Sequence, residues 1–323
     1  MSLQGNIIIT GGAGFLGRAI VRRATRENWD CAFTILGRDT VKHHAMKIEF
    51  PNCRYVIGDI CDLNGLSKAF VGHDIVIHAA AQKHIPEGER DVRETLRVNV
   101  KGSENVCKAA IATQIDEVIG ISTDKVCHAV NVYGMTKALM ERLFQEYDRM
   151  GLTQFHLVRY GNVLSSTGSV LTVWQKMLER DGFVTATSPH MSRFWMTVEQ
   201  AVDAILLSLS EPHSTITIPK VKALDMATFA KYTMPEARFE YSGLRPGEKL
   251  HEELITTEEA PFVHDASQLM PFSNKTSQHF TLYPSTRTAP MMGVMPPEFV
   301  RTVGYRSDNC EQLTREELLE MLK

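Results

Sequence analysis

Asn6-Ile7-Ile8-Ile9-Thr10-Gly11-Gly12-Ala13-Gly14-Phe15-Leu16-Gly17 is the stretch on which the fold of this chain turns. Its first half is nearly continuously apolar, as a strand buried on both faces requires. Its second half places glycines at 11, 14 and 17, and residues 18–27 then carry a helical pattern. Glycine lets a turn adopt unusual dihedrals and lets a pyrophosphate approach the free N–H groups at a helix N-terminus. Alone, such a turn is weak evidence. Between a strand and a helix, at the head of an alternating βα pattern, it points to phosphate binding.

The pattern continues outward from that turn. Strands are predicted at 32–36, 55–57, 75–78, 117–121 and 155–158, with helices at 93–112 and 133–149. This alternation implies an α/β fold, a Rossmann-type doubly wound parallel sheet. After Val163 the alternation ends. Helices are predicted at 170–179, 198–209 and 224–232, a strand at 215–218 that rejoins the sheet, and an edge strand at 238–241. Residues 260–300 read as irregular packed loops, and Thr314 to Glu317 as a capping box opening a last helix. The expected division is a cofactor-binding domain over 1–164, to which 194–218 returns, and a smaller C-terminal α/β substrate region over 165–193 and 219–323.

The second predicted strand ends at Gly37, where an NAD-binding chain often carries an acid for the ribose hydroxyls. Gly37 beside Arg38 suits a 2′-phosphate and favours NADP, with Lys42 as an assisting cation. Asp39 supports the competing reading, a ribose contact and NAD. Asp59 is either an adenine contact or a turn aspartate. Ala79, Ala80 and Ala81 are small enough for a close backbone approach to the cofactor. Asn99, inside a helix, is either solvated or braces a neighbouring loop.

Ser122-Thr123-Asp124-Lys125 arrives at the C-terminal end of a strand, the edge where open α/β sheets bind ligands. Tyr133 and Lys137 follow, four apart and so on one helix face. A nearby ammonium lowers a phenol's pKa, and such a tyrosine can take a proton from an alcohol near neutral pH. Asp124 and Lys125 add a second acid–base pair, for which a simple alcohol dehydrogenase has no evident need.

With 323 residues, 43% hydrophobic and 23% charged, the chain can bury a substantial core as a soluble globular protein. A net charge of −3 argues against a general nucleic-acid binder. Six scattered cysteines form no CxxC pair, so a reduced, cytoplasmic protein is expected. No signal peptide and no membrane-spanning apolar run is expected. His43-His44 lacks further ligands at metal spacing, His251-Glu252-Glu253-Leu254 is not HExxH, and no GxSxG occurs, so neither a metal site nor a serine hydrolase is expected.

Taken together, the motifs resemble the extended short-chain dehydrogenase/reductases, and within them the UDP-N-acetylglucosamine 4,6-dehydratases of polysaccharide biosynthesis. The matching pieces are TGGAGFLG at 10–17, HAAAQKHIPEGE at 78–89, STDK at 122–125, NVYGMTK at 131–137 and RYGNVL at 159–164. SRFWMTVEQAVD at 192–203 and LRPGEKLHEEL at 244–254 complete the set, with a weaker likeness at 305–309. Two departures stand out: Phe15 where relatives commonly carry serine, and His128-Ala129 where an Asn-Pro pair is usual.

The resemblance implies roles. Tyr133 takes the sugar C4 hydroxyl proton, and Lys137 lowers its pKa and contacts the nicotinamide ribose. Thr123, with Ser122, binds the C4 oxygen. Neutral Lys125 removes the C5 proton, protonated Asp124 donates to the departing C6 hydroxyl, and hydride returns at C6. Cofactor contacts would come from Gly11, Ala13, Gly14, Phe15, Leu16, Gly17, Arg38, Lys42, Asp59 and Ile60. Ala79, Ala80, Ala81, Lys83, Asn99, Ser122, Tyr133, Lys137 and Tyr160 would complete them. Lys83, Asn162, Arg193, Arg245 and Glu248 would meet the UDP-sugar, and Glu248 and Glu252 would hold their loop together. The implied product is a 4-keto-6-deoxy sugar nucleotide with inversion at C5, made by a homo-oligomer. A 4-epimerase or 4-ketoreductase would use Tyr133 and Lys137 but not the Asp124–Lys125 pair. A non-catalytic NADP sensor would use none of the four.

Overall fold

The computed structural model describes residues 2–166, 168–266, 278–284 and 295–323. The chain opens with β1 (Gly5–Thr10), α1 (Phe15–Glu27), β2 (Cys31–Gly37), α2 (Thr40–Glu49) and β3 (Arg54–Ile57). Next come α3 (Leu63–Phe70), β4 (Ile75–His78), α4 (Ile85–Arg90) and α5 (Val92–Leu96). A π-helical turn at Arg97–Gly102 leads into α6 (Ser103–Ala112). β5 (Glu117–Ile121) ends in a 3₁₀ turn at Asp124–Val126, and α7 (Val132–Asp148), β6 (Gln154–Val158) and β7 (Asn162–Val163) follow.

Further along lie α8 (Val170–Asp181), β8 (Val184–Ala186), β9 (Ser192–Met196), α9 (Val198–Ser208) and β10 (Ile216–Pro219). The remainder comprises β11 (Ala223–Asp225), α10 (Met226–Thr233), β12 (Phe239–Tyr241), β13 (Glu253–Ile255), β14 (Val263–Asp265) and β15 (His279–Leu282). α11 (Glu298–Val303), β16 (Tyr305–Arg306) and α12 (Arg315–Met321) close the chain.

Among the described residues the main sheet has nine strands in the order β14-β15-β10-β6-β5-β4-β1-β2-β3. It is parallel from β10 to β3, and β15 joins antiparallel to β10 and β14. The order reverses between β1 and β4, which opens a crevice at the C-terminal strand ends. Ile7, Ile8 and Ile9 are fully buried, as a strand covered on both faces demands. A second apolar cluster gathers Trp174, Trp195 and Phe229, the last two stacked with ring centres 4.5 Å apart. It underlies the smaller lobe, whose three-stranded sheet runs β11-β9-β7. The capping box at Thr314 and Glu317 is present. No helix among the described residues is long and apolar enough to cross a membrane.

Two expectations are corrected. The stretch 260–300 is not wholly irregular, because β14 and β15 extend the main sheet. All four β15 residues are buried, so pairing with β10 and β14 decides their conformation, which so short a run does not announce. The helix expected from 224 begins at Met226. Asp225 caps it, accepting the Thr228 N–H at 2.8 Å, while Ala223 to Asp225 pair antiparallel with β9.

Candidate active site

The glycine turn lines a cleft of about 860 Å³ at the C-terminal edge of the sheet. Gly11 has φ +66°, and a side chain there would lie 2.9 Å from the Ala80 backbone. The two loops therefore pass main chain to main chain, and Ala79, Ala80 and Ala81 line the same cleft. A Cβ on Gly17 would overlap the Gly12 main chain, so α1 docks directly on the turn. Gly14 caps α1 without a side-chain bond, and the first turn carries no acid. The open N–H groups thus fit a pyrophosphate. Ala13, Phe15 and Leu16 line the cleft beside them.

Gly37, Arg38, Asp39, Lys42, His43, Asp59 and Ile60 line the cleft beyond β2. The Asp39 carboxylate caps α2, accepting the Lys42 N–H at 3.0 Å, and pairs with Lys42 Nζ at 3.0 Å. Arg38 stands more than half exposed, 3.7 Å from Asp59 and 3.6 Å from Glu94. Burial opposes the Asp59 charge, but the Cys61 N–H, Arg38 and Arg97 together lower its pKa. A side chain at 37 would meet His43 Nε2 at 3.2 Å, so the buried imidazole occupies the space of the missing acid.

Asn99 sits in the π-helical turn, and its placement differs from a cofactor contact. It accepts the Gln82 N–H at 2.7 Å and donates to Gln82 O at 2.9 Å and Thr136 Oγ1 at 3.0 Å. The side chain is spent bracing the Gln82 loop against α7, and Gln82 lines the cleft. Ser122 lines the cleft, but its hydroxyl is committed to a buried partner, donating to Glu141 Oε1 at 2.5 Å. Glu141 is held in turn by the buried Arg159, at 2.8 Å.

Thr123, Asp124, Lys125, Tyr133 and Lys137 all line the cleft. Asp124 Oδ1 accepts from Thr123 Oγ1 and from Lys125 Nζ, each at 2.9 Å. Asp124 is fully buried, and its Oδ2 has no partner among the described residues. Burial raises its pKa; Lys125 opposes this and Glu252 adds to it. Burial pulls Lys125 down, but Asp124 and Glu252 outweigh it and hold the ammonium charged. Asp124 and Lys125 thus form a close, largely buried pair, but the neutral lysine implied by the resemblance is absent, because Glu252 supplies a second carboxylate, 3.6 Å from Nζ.

Burial raises the Tyr133 phenol, while Lys125 and a hydrogen bond with Thr123 pull it down. Lys137 lines the cleft but is not among the groups that lower the Tyr133 phenol. Its ammonium lies 2.8 Å from Met140 Sδ, and burial takes its pKa down to about 7, against the pull of Glu141. Lys83, Tyr160 and Asn162 line the cleft. Burial lowers the Lys83 pKa, and Lys42 adds to that. Burial raises the Tyr160 phenol, as does Tyr133.

Arg193, Arg245 and Glu248 are not brought to the cleft. The Arg193 guanidinium donates to the carbonyls of Ser192 at 2.7 Å, Lys249 at 3.1 Å and Leu250 at 3.2 Å. Glu248 accepts the Arg245 N–H at 3.1 Å, closing the exposed turn of 244–248. Sequence reasoning did not assign Glu141, His43 or Gln82 to the site, and it gave Glu252 only to its loop. The local pattern signals neither the short bond from Ser122 nor the approach of Glu252 to Lys125, since both cross the fold.

The sequence profile of a family described as "Polysaccharide biosynthesis protein" matches residues 7–273. A UDP-N-acetylglucosamine 4,6-dehydratase (inverting) of Campylobacter jejuni is 34% identical over 80% of each chain. A UDP-glucose 4-epimerase of Rickettsia bellii is 34% identical over 82% of each. The crystal structure of Pen from Bacillus thuringiensis superposes with a TM-score of 0.86 at 28% identity, covering 99% of this chain and 97% of that one.

Proposed function

The chain belongs to the polysaccharide biosynthesis protein family, and on that premise we propose that it is an NADP-dependent nucleotide-sugar 4,6-dehydratase. Its substrate is UDP-N-acetylglucosamine or a close UDP-hexosamine, and its product a 4-keto-6-deoxy sugar inverted at C5. The observation that carries this reading is the buried Asp124–Lys125 pair, hydrogen-bonded at 2.9 Å in the same cleft as Thr123 and Tyr133. Redox at C4 alone has no use for a second acid–base pair, whereas loss of water across C5 and C6 needs one. The name of the Campylobacter relative supports the same choice.

A nicotinamide cofactor bound at the glycine turn would supply the hydride exchange between C4 and C6. Tyr133 takes the C4 hydroxyl proton while Thr123 holds the oxygen. Lys125 removes the C5 proton made acidic by the 4-ketone, Asp124 protonates the departing C6 hydroxyl, and a solvent proton reaching C5 from the opposite face completes the inverted product. A proton shift along the bond from Lys125 Nζ to Asp124 Oδ1 turns the ion pair into the required base and acid. Lys137, Tyr160 and the glycine turn orient the cofactor, and Lys83 and Asn162 the sugar nucleotide.

NADP rather than NAD is supported by Gly37, by Arg38 and Lys42 at the cleft, and by an Asp39 already committed to α2. Residues 1–164 and 194–218 handle the cofactor, and 165–193 with 219–323 the sugar. The reading extends to a cytoplasmic homo-oligomer. The six cysteines are unpaired, and Val92, Leu96, Met135 and Leu139 leave exposed apolar surface on the adjoining α5 and α7.

Proton NMR with UDP-N-acetylglucosamine and catalytic NADP in deuterated water tests the proposal. A new C6 methyl signal with deuterium at C5 is expected. The Rickettsia relative favours a second reading, 4-epimerisation, which would leave the product at the substrate's mass and yield no methyl group.

A further inference from the structure

Glu252 lies behind Lys125, which lines the cleft, and its carboxylate reaches the Lys125 ammonium from outside the cleft wall. Glu252 is 4% exposed. One oxygen, Oε1, faces two cations, Lys125 Nζ at 3.6 Å and Arg193 Nε at 3.7 Å. The other, Oε2, has no partner among the described residues. A buried carboxylate with an idle oxygen is costly. A clasp that merely joined two loops would use both.

The backbone around it is nevertheless held firmly. The Glu252 N–H donates to Ser307 Oγ at 2.9 Å, and the Ser307 N–H donates back to Glu252 O at 2.9 Å. Ser307 Oγ also meets Ser192 Oγ at 2.7 Å, and Ser192 Oγ meets His251 Nδ1 at 2.8 Å. β9, β13 and β16 thus converge to fix one carboxylate beside one lysine.

Building on the proposed function, we propose that Glu252 is a positioning residue of the elimination step: it is the counter-ion that holds Lys125 against Asp124 and sets the pH range in which that pair works. The charged and titratable groups facing the pair are Asp124, Lys125, Glu252, Arg193 and Tyr133, and Lys249 also acts on Glu252. A negative charge beside the pair raises the proton affinity of both members. The pair gains a proton at one limb of a bell-shaped profile and loses one at the other, and both limbs belong to the pair as a unit. Removing the Glu252 charge therefore moves the whole bell toward acid. A purely structural defect lowers its height and leaves its position.

The experiment follows C5 hydrogen exchange by NMR in the full chain, from about pH 5 to about pH 10, in the parent, E252Q and E252D. The acid limb of E252Q is expected about one pH unit lower than the parent's, a tenfold rate change at fixed pH on that limb, with E252D returning toward the parent; the alkaline limb, set by a Lys125 held above its ordinary 10.5, lies beyond this range. Coincident acid limbs overturn the role. So does an E252Q that loses C4 oxidation, read as absorbance of reduced nicotinamide, in step with elimination. A second readout needs no sugar: the Lys125 Cε resonance in protein carrying carbon-labelled lysine. Its titration moves to lower pH in E252Q when Glu252 holds that proton, and an unmoved titration overturns the role. A moved titration in a chain that leaves the sugar untouched keeps Glu252 and refutes the dehydratase instead.

Discussion

Replacing Lys137 by methionine is expected to stabilise the protein, and to do so only below a definite pH. The lysine is 3% exposed and its ammonium has a thioether, Met140 Sδ, at 2.8 Å. Burial takes its pKa from an ordinary 10.5 to about 7. Below pH 7 both the folded and the unfolded chain carry the proton, and folding must bury the charge. The gap of about 3.5 pH units, at ~1.36 kcal/mol each, makes that cost at most about 5 kcal/mol. Between pH 7 and 10.5 the unfolded chain binds more protons, so parent stability rises with pH. Above 10.5 neither state carries the charge and the cost is gone.

Lys137→Met has no such charge, so its advantage is full below pH 7 and declines above it. From pH 7 to about pH 9 the parent should regain about 3 kcal/mol on the variant. Urea denaturation of both proteins at pH 6, 7, 8 and 9, each value approximate to about 0.1, measures the difference directly. A stability difference that stays constant across that range would refute the burial argument. So would a variant less stable than the parent at the acid end. The proposed role in the cleft adds a second expectation, that the stabilised variant loses activity.

The remaining predictions concern the cleft. Lys125→Met should lower formation of the C6 methyl product by about 10²–10⁴-fold, the usual contribution of a general base, while reduced nicotinamide still forms; full dehydration by the variant sinks the assignment. Gly17→Ala places a methyl group on the Gly12 main chain, which cannot yield as a side chain would. A loss at or above about 3 kcal/mol in denaturant is expected, together with weaker cofactor binding; an unchanged midpoint would show that α1 can shift at little cost. Arg38→Ala should weaken NADP by roughly tenfold, the loss of a charge-assisted phosphate contact, and leave NAD nearly unchanged. Fluorescence titration with both cofactors checks it, and equal losses would point to a general defect.

Sequence alone determined the sheet that positions the cleft. Local rules suffice for it: an apolar run at β1, glycines at Gly11 and Gly17, and alternating strand and helix patterns each act within a few residues. The same reach brought Thr123, Asp124 and Lys125 to the end of β5, because a strand's end delivers whatever follows it. Tertiary structure decided what those groups experience. Lys137 meets Met140 and a buried interior, so it lowers its own pKa before it can act on Tyr133. Ser122 is claimed by Glu141, and Asn99 by Gln82. β15 takes its conformation from β10 and β14. Lys125 stays charged because Glu252 arrives from far along the chain, carried on a backbone fixed by Ser307. Charge states depend on distance through space and on exclusion of water, and neither is written in the spacing of residues along a chain.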